Sequence, residues 1–134
     1  VHQAVEDNDL WGLARSPLAM GVLSGKMNVS QDDIRFNDNK WNNYFINGDV
    51  NPLYVDRINT VRDLLQSDGR SLVQGALSWV MARGEKTVPL PGGRTVAQVE
   101  ENARTLEFGP LSTDVMAEIE SLMDRQPEGP PRNR

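Results

Sequence analysis

One stretch restricts the fold of this chain more than any other. Thr87-Val88-Pro89-Leu90 is a short apolar run of strand length. It passes into Pro91-Gly92-Gly93, then Arg94, then a helix start at Thr95. A strand delivered into a helix by a glycine turn is the repeating step of α/β folds. A helix start gathers unpaired backbone N–H groups and the positive end of the helix dipole. Glycines beside it let a ligand approach the backbone. With Arg94 this makes a seat for a phosphate. The same residues also suit a plain strand-to-helix turn, and taken alone they leave both possibilities open.

A second step of the same kind lies near the start of the chain. Val1, Ala4 and Val5 share one helical face, so residues 1–9 read as the end of a helix. Leu10 to Ala14 is apolar, too short for a helix, and suited to a strand buried on both faces. Ser16-Pro17 turns the chain out of that strand. Gly21 and Gly25 relax the backbone that follows, and Lys26 adds a positive charge. Backbone amides in such a loop can wrap an anion.

Residues 27–51 are polar and rich in Asn and Asp, with Trp41, Tyr44, Phe45 and Ile46 embedded. They read as a long loop, whose aromatic residues either pin it to the body of the domain or line an apolar substrate cleft. Asp32-Asp33 reads as a solvated surface pair.

Asn51-Pro52 opens a helix with an N-cap and a proline at the first position. Tyr54, Ile58, Val61 and Leu65 recur at helical spacing before Gly69. Ser71 and Gln74 have capping-box spacing, and the helix they open carries Leu72, Val73, Ala76, Leu77, Val80 and Met81. Gly75 inside that helix costs about 1 kcal/mol against alanine, which predicts close packing there, and Trp79 is expected in the core. The helix from Thr95 is expected to bury Val96, Val99 and Ala103. Ser112 caps a last helix with Val115, Ile119 and Leu122 on one face. Residues 1–126 are read as one unit. The tail 127–134 has no apolar side chain to bury and is expected to be disordered.

Composition removes several classes of function. A net charge of −5 leaves no dense basic field for a nucleic acid or an anionic membrane surface. No apolar run approaches membrane-spanning length, and no basic-then-apolar leader is present. The absence of cysteine excludes disulfide and thiolate chemistry and suits a reducing, cytoplasmic setting. No metal-ligand spacing, Ser/His/Asp set or paired-carboxylate site stands out.

Helices and strands alternate with Gly/Pro-rich turns after each strand, which gives an α/β fold. Both candidate ligand loops follow the C-terminal end of a strand, where α/β folds bind ligands. Two strands make neither a barrel nor a stable open sheet.

The run Ser16-Pro17-Leu18-Ala19-Met20-Gly21-Val22-Leu23-Ser24-Gly25-Lys26 closely resembles the loop after the seventh strand of aldo/keto reductases. Val88-Pro89-Leu90-Pro91-Gly92-Gly93-Arg94-Thr95-Val96-Ala97-Gln98-Val99-Glu100-Glu101-Asn102 resembles their eighth-strand cofactor segment. Leu106-Glu107-Phe108 and Leu111-Ser112 also fit. The resemblance covers nearly the whole chain except residues 27–51 and the tail. It implies the C-terminal portion of a (β/α)8 TIM barrel, an oxidoreductase that reduces aldehydes or ketones with NADPH.

The resemblance also implies roles. Ser16, Pro17 and Leu18, with Gly21, Leu23 and Lys26, would hold the pyrophosphate side of NADP(H). Pro91, Gly92, Gly93, Arg94 and Thr95 would hold the adenosine 2′-phosphate, with charge-assisted bonds from Arg94. Gln98 would reach that phosphate, and Glu101 and Asn102 the adenine. Thr95 and Gln98 also form a capping box, Glu101 also suits the helix dipole, and Lys26 also suits a solvated loop. Arg15 stands where many members of the family stack an aromatic residue on the nicotinamide, and a planar guanidinium can stack as well.

The family's catalytic Asp, Tyr, Lys and His lie on earlier strands. His2 sits on the helix remnant and reads as a surface residue, and Tyr44 and Tyr54 belong to the loop and the next helix. No catalytic residue is therefore assigned. The expected partners are a small carbonyl substrate, the N-terminal barrel segment, and a second copy of the chain by self-association. The alternative is a non-catalytic nucleotide-binding or protein-interaction module.

Overall fold

A computed structural model describes residues 2–36 and 44–123. Trp41 and the expected disordered tail 127–134 lie outside the described residues.

Helix α1 (His2–Asp7) leads into strand β1 (Gly12–Arg15). Strand β4 (Thr87–Leu90) lies parallel to β1, with Gly12 opposite Thr87 and Arg15 opposite Leu90. Parallel neighbours require a long crossover. Here the chain between them supplies two strands and two helices. With both strands running the same way in this register, the loops after Arg15 and after Leu90 leave the sheet side by side.

Burial of β1 differs from expectation. Leu13 is 65% exposed and Trp11 66%. An apolar run is sheltered only by the elements packed on its two faces and edges, and among the described residues β4 is the one strand paired with β1.

The helices follow local chemistry closely. Helix α2 (Pro52–Leu65) is capped by Asn51, whose side chain accepts from the Leu53 amide at 3.0 Å. Helix α3 (Leu72–Met81) has a complete capping box. Ser71 Oγ accepts from the Gln74 amide at 3.2 Å, and Gln74 Oε1 accepts from the Ser71 amide at 2.9 Å. Helix α4 (Val96–Phe108) repeats the device with Thr95 and Gln98. In helix α5 (Thr113–Met123), Ser112 Oγ accepts from the Val115 amide.

Gly75 marks the contact between α2 and α3. A Cβ there would sit 1.9 Å from the Leu65 carbonyl oxygen. Helix propensity favours Gly75→Ala by about 1 kcal/mol, but the clash is with backbone that cannot rotate aside. We expect the intact Gly75→Ala protein to lose roughly 2–3 kcal/mol of stability, read from the urea midpoint at unchanged slope. A gain of about 1 kcal/mol would mean that the helices separate freely.

Two apolar clusters fill the interior. Val61 and Leu65 of α2, Leu111, and Ile119 of α5 form one, with Leu72 and Trp79 of α3 packed against it and half-buried. Val22, Val29, Phe45 and Val50 form the other. The second cluster exists because residues 27–51 are not wholly irregular. Strands β2 (Phe45–Ile46) and β3 (Asp49–Val50) form an antiparallel hairpin around Asn47-Gly48. Both turn residues have positive φ, 49° and 86°, the conformation that Asn-Gly supplies most readily in a two-residue hairpin. Phe45 is completely buried, so this aromatic residue pins the segment to the core.

Helix α4 is the other departure. Val96 is 75% exposed, and Val99 and Ala103 are exposed too. The helix is held to α3 by polar contacts instead. Gln74 Nε2 donates to the Glu101 carbonyl at 3.3 Å. Buried Arg70 donates to the Phe108 carbonyl at 3.3 Å and stacks on its ring. Gln98, Glu101 and Asn102 of this helix share a cleft with the loop after β1.

Candidate functional site

The loops after β1 and β4 converge on a cleft of about 530 Å³, within the range of small-molecule pockets. From the first loop come Ser16, Pro17, Leu18, Met20, Gly21, Ser24 and Lys26. From the second loop and α4 come Gly92, Gly93, Arg94, Gln98, Glu101 and Asn102. Val73 of α3 and Arg35 complete the lining. Two sequence segments some seventy residues apart thus face each other as their shared position after parallel strands predicts.

The first loop is bent sharply. Ser16, Ala19 and Met20 have φ of 54°, 49° and 55°, in the left-handed region where side chains other than glycine are uncommon. Its short helical turn, residues 19–24, is closed by hydrogen bonds from the Gly21 amide to the Leu18 carbonyl at 2.9 Å and from Ser24 Oγ to the Gly21 carbonyl at 2.7 Å. Such backbone persists only where its surroundings hold it.

The second loop is held from α4. Gln98 Oε1 accepts from the Arg94 amide at 2.8 Å and the Thr95 amide at 3.3 Å, and Asn102 Nδ2 donates to the Gly92 carbonyl at 3.3 Å. A Cβ on Gly93 would lie 2.8 Å from Val99 Cγ2, so the turn lies tightly on the helix there. A Cβ on Gly92 would meet nothing within 4 Å. The capping role open to Gln98 in the sequence is therefore realised, and the Arg94 and Thr95 amides just before the helix are already satisfied.

Not every candidate residue reaches the cleft. Leu23 lines a separate apolar cavity, and Thr95 accepts from the Gln98 amide at 3.2 Å as the cap of α4. Arg15 and Pro91 stand at the strand ends next to the loops, outside the lining. In the opposite sense, Arg35 is a lining residue that no sequence motif marks. It brings a third cation beside Lys26 and Arg94, itself paired with Asp33, against one lining carboxylate, Glu101. A chain of net charge −5 thus carries a locally cationic cleft.

Asp33 is not the solvated carboxylate its neighbour Asp32 is. Its oxygens accept from Arg35 Nε at 2.7 Å and Nη2 at 2.5 Å, and both side chains are partly buried. Hydrogen bonds from the Arg35 side chain and amide hold the Asp33 carboxyl far below the usual carboxylate range. A depressed folded-state pKa contributes stability above the ordinary carboxylate range. That contribution is lost progressively as pH falls from the ordinary carboxylate range toward the depressed value.

Residues 1–124 match the Aldo/keto reductase family. The chain belongs to that family. It is 30% identical over 123 residues to an L-glyceraldehyde 3-phosphate reductase of Escherichia coli, covering 87% of this chain and 34% of that protein. It is 26% identical over 118 residues to the protein named "Probable voltage-gated potassium channel subunit beta" of Arabidopsis thaliana, covering 86% and 36%. To "Probable pyridoxal reductase 2" of Schizosaccharomyces pombe it is 28% identical over 119 residues, covering 84% and 35%. This aldo/keto reductase chain spans about a third of the length of these curated relatives.

The apolar cavity lies behind the first loop and is about 510 Å³. Tyr44 and Tyr54 line it, their rings 4.9 Å apart at 53°. Neither tyrosine lines the cationic cleft, although Pro17 forms a wall of both spaces. Among the described residues no group of three or more His, Asp or Glu side chains is placed to hold a metal, and no helix is long and apolar enough to cross a membrane.

Proposed function

We propose that this chain is the C-terminal portion of an NADPH-dependent aldo/keto reductase. In this reading β1 and β4 are the seventh and eighth strands of a (β/α)8 barrel, and the chain supplies most of the cofactor grip. The observation that carries it is the cationic cleft, formed where two loops leave adjacent parallel strands. That end of the strands is where α/β folds bind ligands.

The donors fit NADP(H). Lys26 and the bent loop from Ser16 to Gly21 suit a pyrophosphate, and Arg94 suits the 2′-phosphate. Pro91 and Thr95 shape the turn that presents Arg94, and Leu23 anchors the first loop from behind. Gln98, with its oxygen committed to the cap, keeps its amide nitrogen for a ligand. Glu101 and Asn102 lie where the adenosine would follow. Arg15, at the mouth of the barrel, would lie beside the nicotinamide. Bound NADPH supplies the hydride, and the residues here bind and orient it. The substrate is a small aldehyde or ketone, and the setting is the cytoplasm. Equilibrium dialysis or fluorescence titration with NADPH, with and without excess 2′-AMP, tests the cofactor reading directly. NADPH that binds without competition from 2′-AMP would contradict it.

The barrel reading also bears on association. Leu10, Trp11, Leu13 and Leu90 are all about half or more exposed around the two-stranded sheet. Unpaired strand edges and contiguous apolar surface drive association. Residues 1–134 produced alone are expected to elute as oligomers and to bind a hydrophobic dye. A monodisperse monomer with a cooperative unfolding transition would contradict this.

A further inference from the structure

Arg35 is attached to the first cleft loop by a single long-range bond. Its Nη1 donates to the Met20 carbonyl at 2.7 Å across fifteen residues of sequence. Met20 is one of the residues held in left-handed backbone, and the adjoining Gly21 has φ of 102°. The other side of the guanidinium is gripped by Asp33 through Nε and Nη2, and the plane lies over the Phe45 ring at 5.6 Å. A bidentate carboxylate fixes both the position and the plane of a guanidinium. A single bond to Met20 would leave it free to swing.

We propose that Asp33 is a positioning residue of the cleft: by clamping Arg35 it keeps the Met20 carbonyl tied, and so holds the loop from Leu18 to Gly25 in its ligand-receiving shape before any ligand arrives. The proposal rests on the cofactor reading of the cleft and adds how that site is preorganised. Clamping has an opposite side. Asp33 also offsets the charge of one of the three cleft cations. If neutralisation were its main effect, removing the carboxylate would strengthen anion binding. If positioning dominates, removal weakens it, because only the fraction of molecules with the loop formed can bind.

Asp33→Asn in the intact protein separates the two. Asparagine keeps the shape and one acceptor but loses the charge-assisted fork. The first measurement needs no ligand: amide hydrogen exchange at Gly21, Leu23 and Gly25, whose N–H groups close the loop turn. Exchange there is expected to rise about tenfold, as loss of a charge-assisted contact implies, with α3 amides unchanged. Asp32→Asn, the same charge change on the exposed neighbour, is expected to leave the loop unchanged. The second measurement is NADPH affinity, expected to fall about tenfold in Asp33→Asn. Unchanged exchange at the loop amides, or tighter NADPH binding, overturns the proposal. If the unsubstituted protein fails to bind NADPH, the cofactor reading falls, while the exchange result still decides whether Asp33 positions the loop.

Discussion

Residues 1–134, purified alone, are expected to show no measurable NADPH-dependent carbonyl reduction. Carbonyl reduction needs a hydride and a proton, delivered to neighbouring atoms. In the proposed reading, the cleft residues of this chain serve the first task by holding NADPH. The second needs an acid within hydrogen-bond reach of the carbonyl oxygen, and its loss typically costs 10²–10⁴-fold. Tyr44 and Tyr54 are the two tyrosines of the chain, and both line the apolar cavity rather than the cleft. His2, the one histidine, is on α1, which enters β1 from the end opposite the cleft loops. The cleft carboxylate, Glu101, lies on α4 among the proposed adenosine contacts. Alignment of the reacting atoms would be lost as well, and misplacement of that kind is itself expensive in rate. The check is NADPH oxidation with a reactive aromatic aldehyde, on material shown by mass to start at Val1. Turnover that follows the chain through purification, and vanishes in Tyr44→Phe or Tyr54→Phe, would contradict this account of the site. Activity that appears only on adding an N-terminal barrel segment would support it.

The other large effect is expected at Arg94. The Arg94 and Thr95 amides are already used by Gln98 Oε1, and in the proposed cofactor reading the Arg94 side chain supplies the charge that meets the 2′-phosphate. Arg94→Ala should weaken NADPH binding about 10- to 150-fold, from a charge-assisted bond worth about 1.5–3 kcal/mol. NADH, which lacks the 2′-phosphate, should change by about twofold or less. The experiment is a pair of titrations on the full-length protein, at one ionic strength because the contact is electrostatic. Equal losses for the two cofactors would assign Arg94 to loop support. Arg94→Lys should recover part of the difference, since an ammonium restores charge without the planar fork.

Much of this was legible in the residues because the deciding interactions are local. Ser71 with Gln74, Thr95 with Gln98, and Asn51 with Pro52 announce three helix starts within four residues each, and the structure has all three. Gly75 announced its close contact by its poor helix propensity, and Leu65 stands against it. The hairpin was missed, because residues 27–51 read as one long loop. Asn47-Gly48 is a strong two-residue turn signal, but the polar composition around it reads as plain loop.

Local order follows from the residues alone: where helices begin, where strands meet Gly-rich turns, and the family to which two loop motifs point. Which surfaces are covered and which distant residues meet depends on how the elements pack. Val96 and Val99 fall on an apolar stripe by periodicity, yet they are exposed, because a stripe specifies a face and not the partner that covers it. Arg35 carries no motif and lies in a polar run. It enters the cleft because the Phe45 anchor and the Asp33 fork hold it against Met20. Those contacts depend on the path of the chain through space, and residue spacing along the sequence holds no record of it.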